Sequence, residues 1–158
     1  MSSSLTNLLY HIVFSTKNRE PLITGELAGD LYPYIGGIVQ SKGGILLAVG
    51  GMPCHLHLLV KIKPVDAVAD FVRVVKSNSS KWINDNRRID GLFAWQTGYG
   101  AFSVSESQVS TVRDYIGKQY EHHRFKPFQE EYADFLKKNG IEYDERYVWG
   151  YCSPQVRG

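Results

Sequence analysis

The stretch His55-Leu56-His57-Leu58-Leu59-Val60 decides how this 158-residue chain is read. It has the period of a β-strand. Successive side chains project to opposite sides, so Leu56 and Leu58 enter a core while His55 and His57 share the other face. Two imidazoles side by side on a rigid strand are half of a metal site. The chain holds five histidines, so two at this spacing is a concentration. The plainer reading is a pair of half-buried histidines hydrogen-bonded to backbone. What separates the two readings is whether further ligands reach the same face.

Working outward, Gly50-Gly51-Met52-Pro53 reads as a turn after a short apolar strand, Ile45 to Val49, and Pro64 closes the histidine strand after Ile62. Upstream, Leu8 to Ser15 (LLYHIVFS) is apolar, β-branched and aromatic, as in a buried strand. Thr24 then N-caps a helix to about Ser41, with Leu27, Leu31, Ile35 and Ile38 at helical period. Downstream, Val65 to about Asn86 is a second helix, and Leu92 to Val104 is aromatic strand material. Ser105 or Ser107 caps a third helix running to about Phe125. A fourth runs from Pro127 to Asn139, with Gly140 as its stop. The order β-α-β-β-α-β followed by two helices is ferredoxin-like. It predicts an α+β domain, an antiparallel sheet with helices on one face, spanning residues 1–158.

Composition is that of a soluble globular protein, with 43% hydrophobic and 22% charged residues. No apolar run approaches the roughly 20 residues of a membrane span, and the N-terminus shows no secretory pattern. Two cysteines, Cys54 and Cys152, make no disulfide framework, so a cytoplasmic setting is expected. Net charge is +2 but unevenly spread. Between Phe71 and Arg88 there are five bases and one acid; between Gln129 and Arg146 there are six acids and three bases. A basic middle suits a polyanionic partner.

The third helix carries the candidates to complete the site. Tyr115 and Gln119 are four apart and share a helix face. A Gln carbonyl oxygen can serve as third ligand to a hard divalent cation. Two imidazoles and one amide oxygen make an under-charged, open site suited to Mg²⁺ or Mn²⁺ with positions left for a phosphate; a closed zinc site wants thiolates. A tyrosine beside such a cation has a use. Its phenol, with a pKa of about 10, is a poor nucleophile until its target is polarised or its proton removed. Attack on a phosphodiester leaves a phosphotyrosine that conserves the energy of the broken bond.

Gly51-Met52-Pro53-Cys54-His55-Leu56-His57-Leu58-Leu59-Val60 followed by Tyr115-Ile116 and Gln119 resembles the single-tyrosine HUH transposases, including the REP-associated tyrosine transposases. Tyr10 to Lys17 and Gly98 to Val104 fit the same pattern, so the resemblance covers roughly Leu8 to Trp149. It implies a homodimeric enzyme that cuts and rejoins single-stranded DNA near hairpins. His55, His57 and Gln119 are then the metal ligands. Tyr115 is the nucleophile, keeping the 5′ phosphate and releasing a 3′-hydroxyl, in the site of its own subunit or of its partner. The chain departs from the pattern at Cys54, whose side chain is expected to face away from His55, and at Gly117, where the helix can bend.

Lys17 and Arg19, after the first strand, are candidate phosphate contacts. So are Arg73, Lys76 and Lys81 on the second helix, where Arg73, Lys76 and Ser80 share a face. His123 could touch DNA, and either it or His122 could replace Gln119. Trp82 and Trp95 are candidates for stacking on bases, with at least one expected in the core. Three other readings stand beside the leading one: a non-catalytic single-strand binder, a domesticated REP-type processing protein, and a hydrolase of small phosphate esters. The hydrolase wants a carboxylate beside the histidines, and the sequence suggests none.

Overall fold

The computed structural model describes residues 4–119 and 128–142. Strand β1 is Leu8–Ser15, followed by a 3-10 turn at Lys17–Arg19 and helix α1 at Gly25–Ser41. Then come β2 (Ile45–Met52), β3 (His55–Ile62), α2 (Val68–Asp85) and β4 (Gly100–Val104). A second 3-10 turn, Glu106–Gln108, leads into α3 (Val109–Gly117), and α4 is Phe128–Lys138. The strands lie in the order β2-β3-β1-β4, every neighbouring pair antiparallel. This is the expected α+β, ferredoxin-like sheet.

Strand alternation sorts the two faces. Ile12 and Phe14 of β1 and Leu56, Leu58 and Val60 of β3 join Leu31 and Ile35 of α1 and Phe71 and Val75 of α2 in the main core. On the other face Val13 of β1 and Phe102 of β4 pack with Tyr132 and Leu136 of α4, while α3 lies against β2 and β3. Helices α1 and α2 thus share one face as expected, while α3 and α4 cover the other, and β1 and β3 are buried along nearly their whole length. That is why their sequences read as nearly continuous apolar runs in which His11, His55 and His57 stand out.

Several boundaries fall where the sequence suggests. Thr24 caps α1, its hydroxyl accepting from Leu27 N–H at 3.2 Å, and Gly140 takes the left-handed conformation beyond α4 (φ +66°). Others differ. Gly50 and Gly51 are not turn residues: β2 runs through them, pairing Gly50 with His57 and Gly51 with Leu56. A Cβ on Gly50 would stand 2.5 Å from the carbonyl oxygen of Ile116, so this glycine is what lets α3 settle onto the strand. Only Pro53 and Cys54 make the turn.

Helix α2 starts at Val68, not Val65. Of the 92–104 stretch only Gly100–Val104 joins the sheet; Trp95 instead makes a single bridge to Thr16. Neither Ser105 nor Ser107 caps a helix with its side chain, because the two hydroxyls lie 3.1 Å from each other. Helix α3 ends at Gly117, where Lys118 N–H bonds back to Asp114 and Tyr115 carbonyls. Tyr115 and Gln119 are therefore not on one continuous helix.

Candidate active site

Strand β3 lies inside the sheet between β2 and β1, so the direction of its side chains is fixed by two ladders. His55 and His57 face the α3–α4 side, fully buried, with ring centroids 5.2 Å apart. Four other segments meet them there. Gln119, just past α3, puts its Oε1 3.3 Å from His55 Nε2, and its amide nitrogen donates to the Tyr115 carbonyl at 3.3 Å. Glu131, on the first turn of α4, puts Oε1 2.8 Å from His57 Nε2. His11, on β1, puts Nε2 2.8 Å from His57 Nδ1. Cys54, in the turn, puts Sγ 3.2 Å from His55 Nδ1. The Tyr115 ring stands edge-on to His57, centroids 5.7 Å apart, and is flanked by Phe135 at 5.4 Å.

Burial sets the charge states. The Tyr115 phenol is pushed well above the ordinary tyrosine range, chiefly by burial; a hydrogen bond with Gln119 pulls it down, while the charge of Glu131 and a hydrogen bond with it push it up. The tyrosine is therefore a neutral phenol at neutral pH, with Gln119 and Glu131 as its polar neighbours. His11 is lowered from 6.5 to about 3, first by burial and then by His57, against the pull of Glu131, so it is uncharged at neutral pH. Burial also raises the Cys54 thiol, which keeps it from acting as a thiolate ligand.

Ligand atoms of His55, His57 and Glu131 lie within 4.8 Å of one another. Two imidazole nitrogens, a carboxylate and an amide oxygen form a donor set that fits a divalent cation, and a carboxylate 2% exposed facing two imidazoles is the kind of buried charge a cation would neutralise. The site is thus not under-charged, because Glu131 supplies the anion. It is also the carboxylate that the hydrolase reading wants beside the histidines. Cys54 faces His55, not away from it: as a turn residue it is outside the strand alternation.

The candidate DNA contacts scatter. Lys17 and Arg19 sit in the turn after β1, whose Thr16 N–H bonds the Cys54 carbonyl at 2.9 Å. With the Gln129 amide on α4 turned so that its oxygen faces Arg19, that oxygen accepts from the guanidinium at 2.9 Å, which puts Arg19 at the rim of the site. Asn18 and Arg19 both take positive φ, 59° and 53°, strained for arginine. Arg73, Lys76 and Ser80 line one groove with Trp95 and Tyr99, away from the histidines. Lys76 is anchored there to the carbonyls of Gln96 and Gly98 at 2.6 and 2.8 Å, and burial lowers its pKa to about 8. Lys81 pairs with Asp85. Trp95 is the tryptophan in the core, its indole donating to Ser79 Oγ at 3.0 Å. Trp82 stacks on Tyr34 at 4.8 Å under the Arg88 guanidinium. His122 and His123 lie outside the described residues.

Sequence reasoning missed His11 and Glu131. His11 left a trace, a polar residue in an otherwise apolar strand and on the same face as Val13. Glu131 left almost none. It shares a helix face with Phe135 one turn on, but nothing in the chain ties residue 131 to residue 57.

Known proteins agree with this architecture. The ISDra2 transposase TnpA of Deinococcus radiodurans is 28% identical over 119 residues, 72% of this chain and 85% of that protein. The transposase for insertion sequence element IS200 of Salmonella typhimurium is 26% identical over 125 residues, 73% of this chain and 78% of that one. A crystal structure of a candidate transposase from Deinococcus radiodurans superposes with a TM-score of 0.62 at 27% identity, covering 75% of this chain and 95% of that one. A REP-associated tyrosine transposase bound to a REP hairpin shares the fold, with a TM-score of 0.57 at 15% identity over 91% of this chain and 93% of that one. The family model for IS200-like transposases matches residues 4–119, which is most of the chain, and the protein belongs to that family.

Proposed function

We propose that this transposase cuts and rejoins single-stranded DNA at hairpins through a covalent 5′-phosphotyrosine on Tyr115. In this reading Mg²⁺ or Mn²⁺ is held by His55, His57 and Gln119, joined by Glu131. The observation that carries it is convergence. Strand β3, helix α3 with the residue just past it, and helix α4 deliver two imidazoles, a phenol, an amide oxygen and a carboxylate to one buried spot. Burying that many polar groups costs more than an apolar core of the same shape even where they pair, which favours a functional reason for the set.

A divalent cation at these ligands supplies Lewis-acid polarisation of the scissile phosphate and fixes its position. The chain's own residues do the rest. Tyr115 Oη attacks phosphorus and the bond to the 3′-oxygen breaks, so the 5′ side stays on the tyrosine and a 3′-hydroxyl leaves. The phenol holds its proton at neutral pH, so the proton has to go as the new bond forms. Glu131 is the acceptor in reach, and it returns the proton to the departing 3′-oxygen. A carboxylate has two oxygens, so one can ligate while the other takes the proton. Rejoining runs the same steps backwards from another 3′-hydroxyl, with no external energy source.

Arg19 at the rim, with Lys17, contacts the DNA backbone near the cut. Arg73, Lys76, Lys81 and, past the described residues, His123 serve phosphates farther along the strand. The hairpin part of the proposal is supported by the fold shared with a transposase bound to a REP hairpin. The working unit is a homodimer of single-domain chains spanning residues 1–158, acting in the cytoplasm. Separately, no helix among the described residues is long and apolar enough to cross a membrane. The test is a labelled single-stranded oligonucleotide carrying an imperfect palindrome from the DNA flanking the gene. With Mn²⁺ it should become covalently attached to the protein, and EDTA should prevent it. Tight hairpin binding with no adduct under any divalent cation would replace this reading with a non-catalytic binder.

A further inference from the structure

His57 is held from behind by another histidine. Its Nδ1 lies 2.8 Å from Nε2 of His11, both rings are buried, and their centroids are 5.1 Å apart with the planes inclined by 31°. On its other side His57 presents Nε2 to Glu131. A metal-binding histidine usually has its second nitrogen fixed by a carboxylate, a backbone carbonyl or water. Here the partner is a neutral imidazole.

We propose that His11 is a positioning residue for the metal site: it fixes the ring orientation of His57 so that Nε2 faces the cation, and it can do so in either hydrogen-bonding sense. This rests on the reading of His57 as a metal ligand. The two senses follow from proton counting. With a cation on Nε2, that nitrogen must offer its lone pair. A neutral His57 then carries its proton on Nδ1 and donates to His11 Nε2. With Glu131 beside Nε2 at 2.8 Å and no cation there, the proton belongs on that nitrogen, facing the carboxylate. In neutral His57 the Nδ1 is then an acceptor and His11 Nε2–H is the donor. A carboxylate in place of His11 could only accept, and a lysine could only donate. A neutral imidazole serves both states by changing tautomer, with no net change of charge in a buried spot.

The surroundings suit this role. His11 packs edge-on against Phe135 at 5.1 Å and Phe102 at 6.1 Å, which holds its ring while leaving the imidazole pair to each other. The same device recurs at His55, whose Nδ1 meets the Cys54 thiol. Both Nε2 atoms are thereby turned toward Gln119 and Glu131 by uncharged groups that lie behind the rings.

The experiment compares Mn²⁺ affinity, by calorimetry, for the wild type, His11→Phe and His11→Gln. Phenylalanine keeps the ring packing and removes the hydrogen bond. Glutamine can present either its oxygen or its nitrogen where His11 Nε2 stood. The expected result is a loss of about 10–100-fold for His11→Phe, the usual scale for such outer partners, with His11→Gln close to wild type. Thermal melts without metal accompany each titration, so that a merely destabilised fold is seen as such. Equal affinity for His11→Phe and wild type overturns the proposal. So does a His11→Gln variant as weak as His11→Phe while melting like wild type. A wild type that binds no Mn²⁺ overturns the metal reading itself, and this inference with it.

Discussion

Replacing Gly50 with alanine puts a methyl carbon 2.5 Å from the carbonyl oxygen of Ile116 and 3.1 Å from its Cγ2. Ordinary contact begins near 3.4 Å. The nearest obstacle is backbone, which cannot rotate aside, so α3 has to lift. A lift of about 1 Å is the scale on which misplaced reacting groups lose about 100-fold in rate. The residue before Ile116 is Tyr115, while Gly50 pairs with His57 across the β2–β3 ladder. One methyl therefore separates the proposed nucleophile from the proposed ligands. Overpacking of this kind costs about 1–3 kcal/mol of stability, less than unfolds a typical domain. The assay pairs urea unfolding with the rate of covalent adduct formation on the hairpin oligonucleotide. Gly29→Ala is the control: it lies within α1, a Cβ there meets nothing within 4 Å, and it should stabilise by about 0.4–1 kcal/mol with no change in rate. A Gly50→Ala variant that is folded and forms adduct at the wild-type rate would mean that this glycine does not set the seating of α3.

Other consequences can be measured separately. Glu131→Gln keeps the shape and removes the charge; Mn²⁺ affinity should drop about tenfold or more, since charged ligands tune affinity for hard cations, and titration calorimetry reads it. In metal-free protein His11, with its pKa lowered to about 3, stays neutral when folded but binds a proton below about 6.5 when unfolded. Stability is thus greatest above that value and falls as pH drops toward 3, by about 2 kcal/mol at pH 5; urea melts should show this slope flattened in His11→Gln. Trp95→Phe leaves Ser79 Oγ without its indole donor and opens space in the core, a loss of about 2 kcal/mol by the same melts.

The fold was legible because its signals are local. The apolar run LLYHIVFS, the alternation at the start of HLHLLVKI, the Thr24 cap and the helical period of Leu27, Leu31 and Ile35 each follow from neighbours within a few residues. The differences arise from tertiary partners or from local bonds that residue type alone does not reveal. Gly50-Gly51 looks like a turn until α3 is seen lying on it. Ser105 and Ser107 look like caps until they bond each other. At the site, His55 and His57 were visible as a pair because a strand fixes two positions apart. Gln119 was visible by its offset from Tyr115, although the helix between them ends at Gly117. His11 and Glu131 are 46 and 74 residues from His57, brought in by sheet pairing and by α4 docking, and no sequence period encodes either. Cys54 was misplaced because strand alternation was extended one residue into a turn.

Tyr115 as the carrier of the DNA is the step on which the rest of the mechanism depends. Its most direct test is to trap the adduct with Mn²⁺, digest it and locate the modified peptide by mass spectrometry, alongside the Tyr115→Phe variant. A nucleotide mass is expected on the peptide containing Tyr115, and no adduct from Tyr115→Phe although that variant folds and binds the hairpin. An adduct on another residue, or one that forms undiminished in Tyr115→Phe, would contradict it.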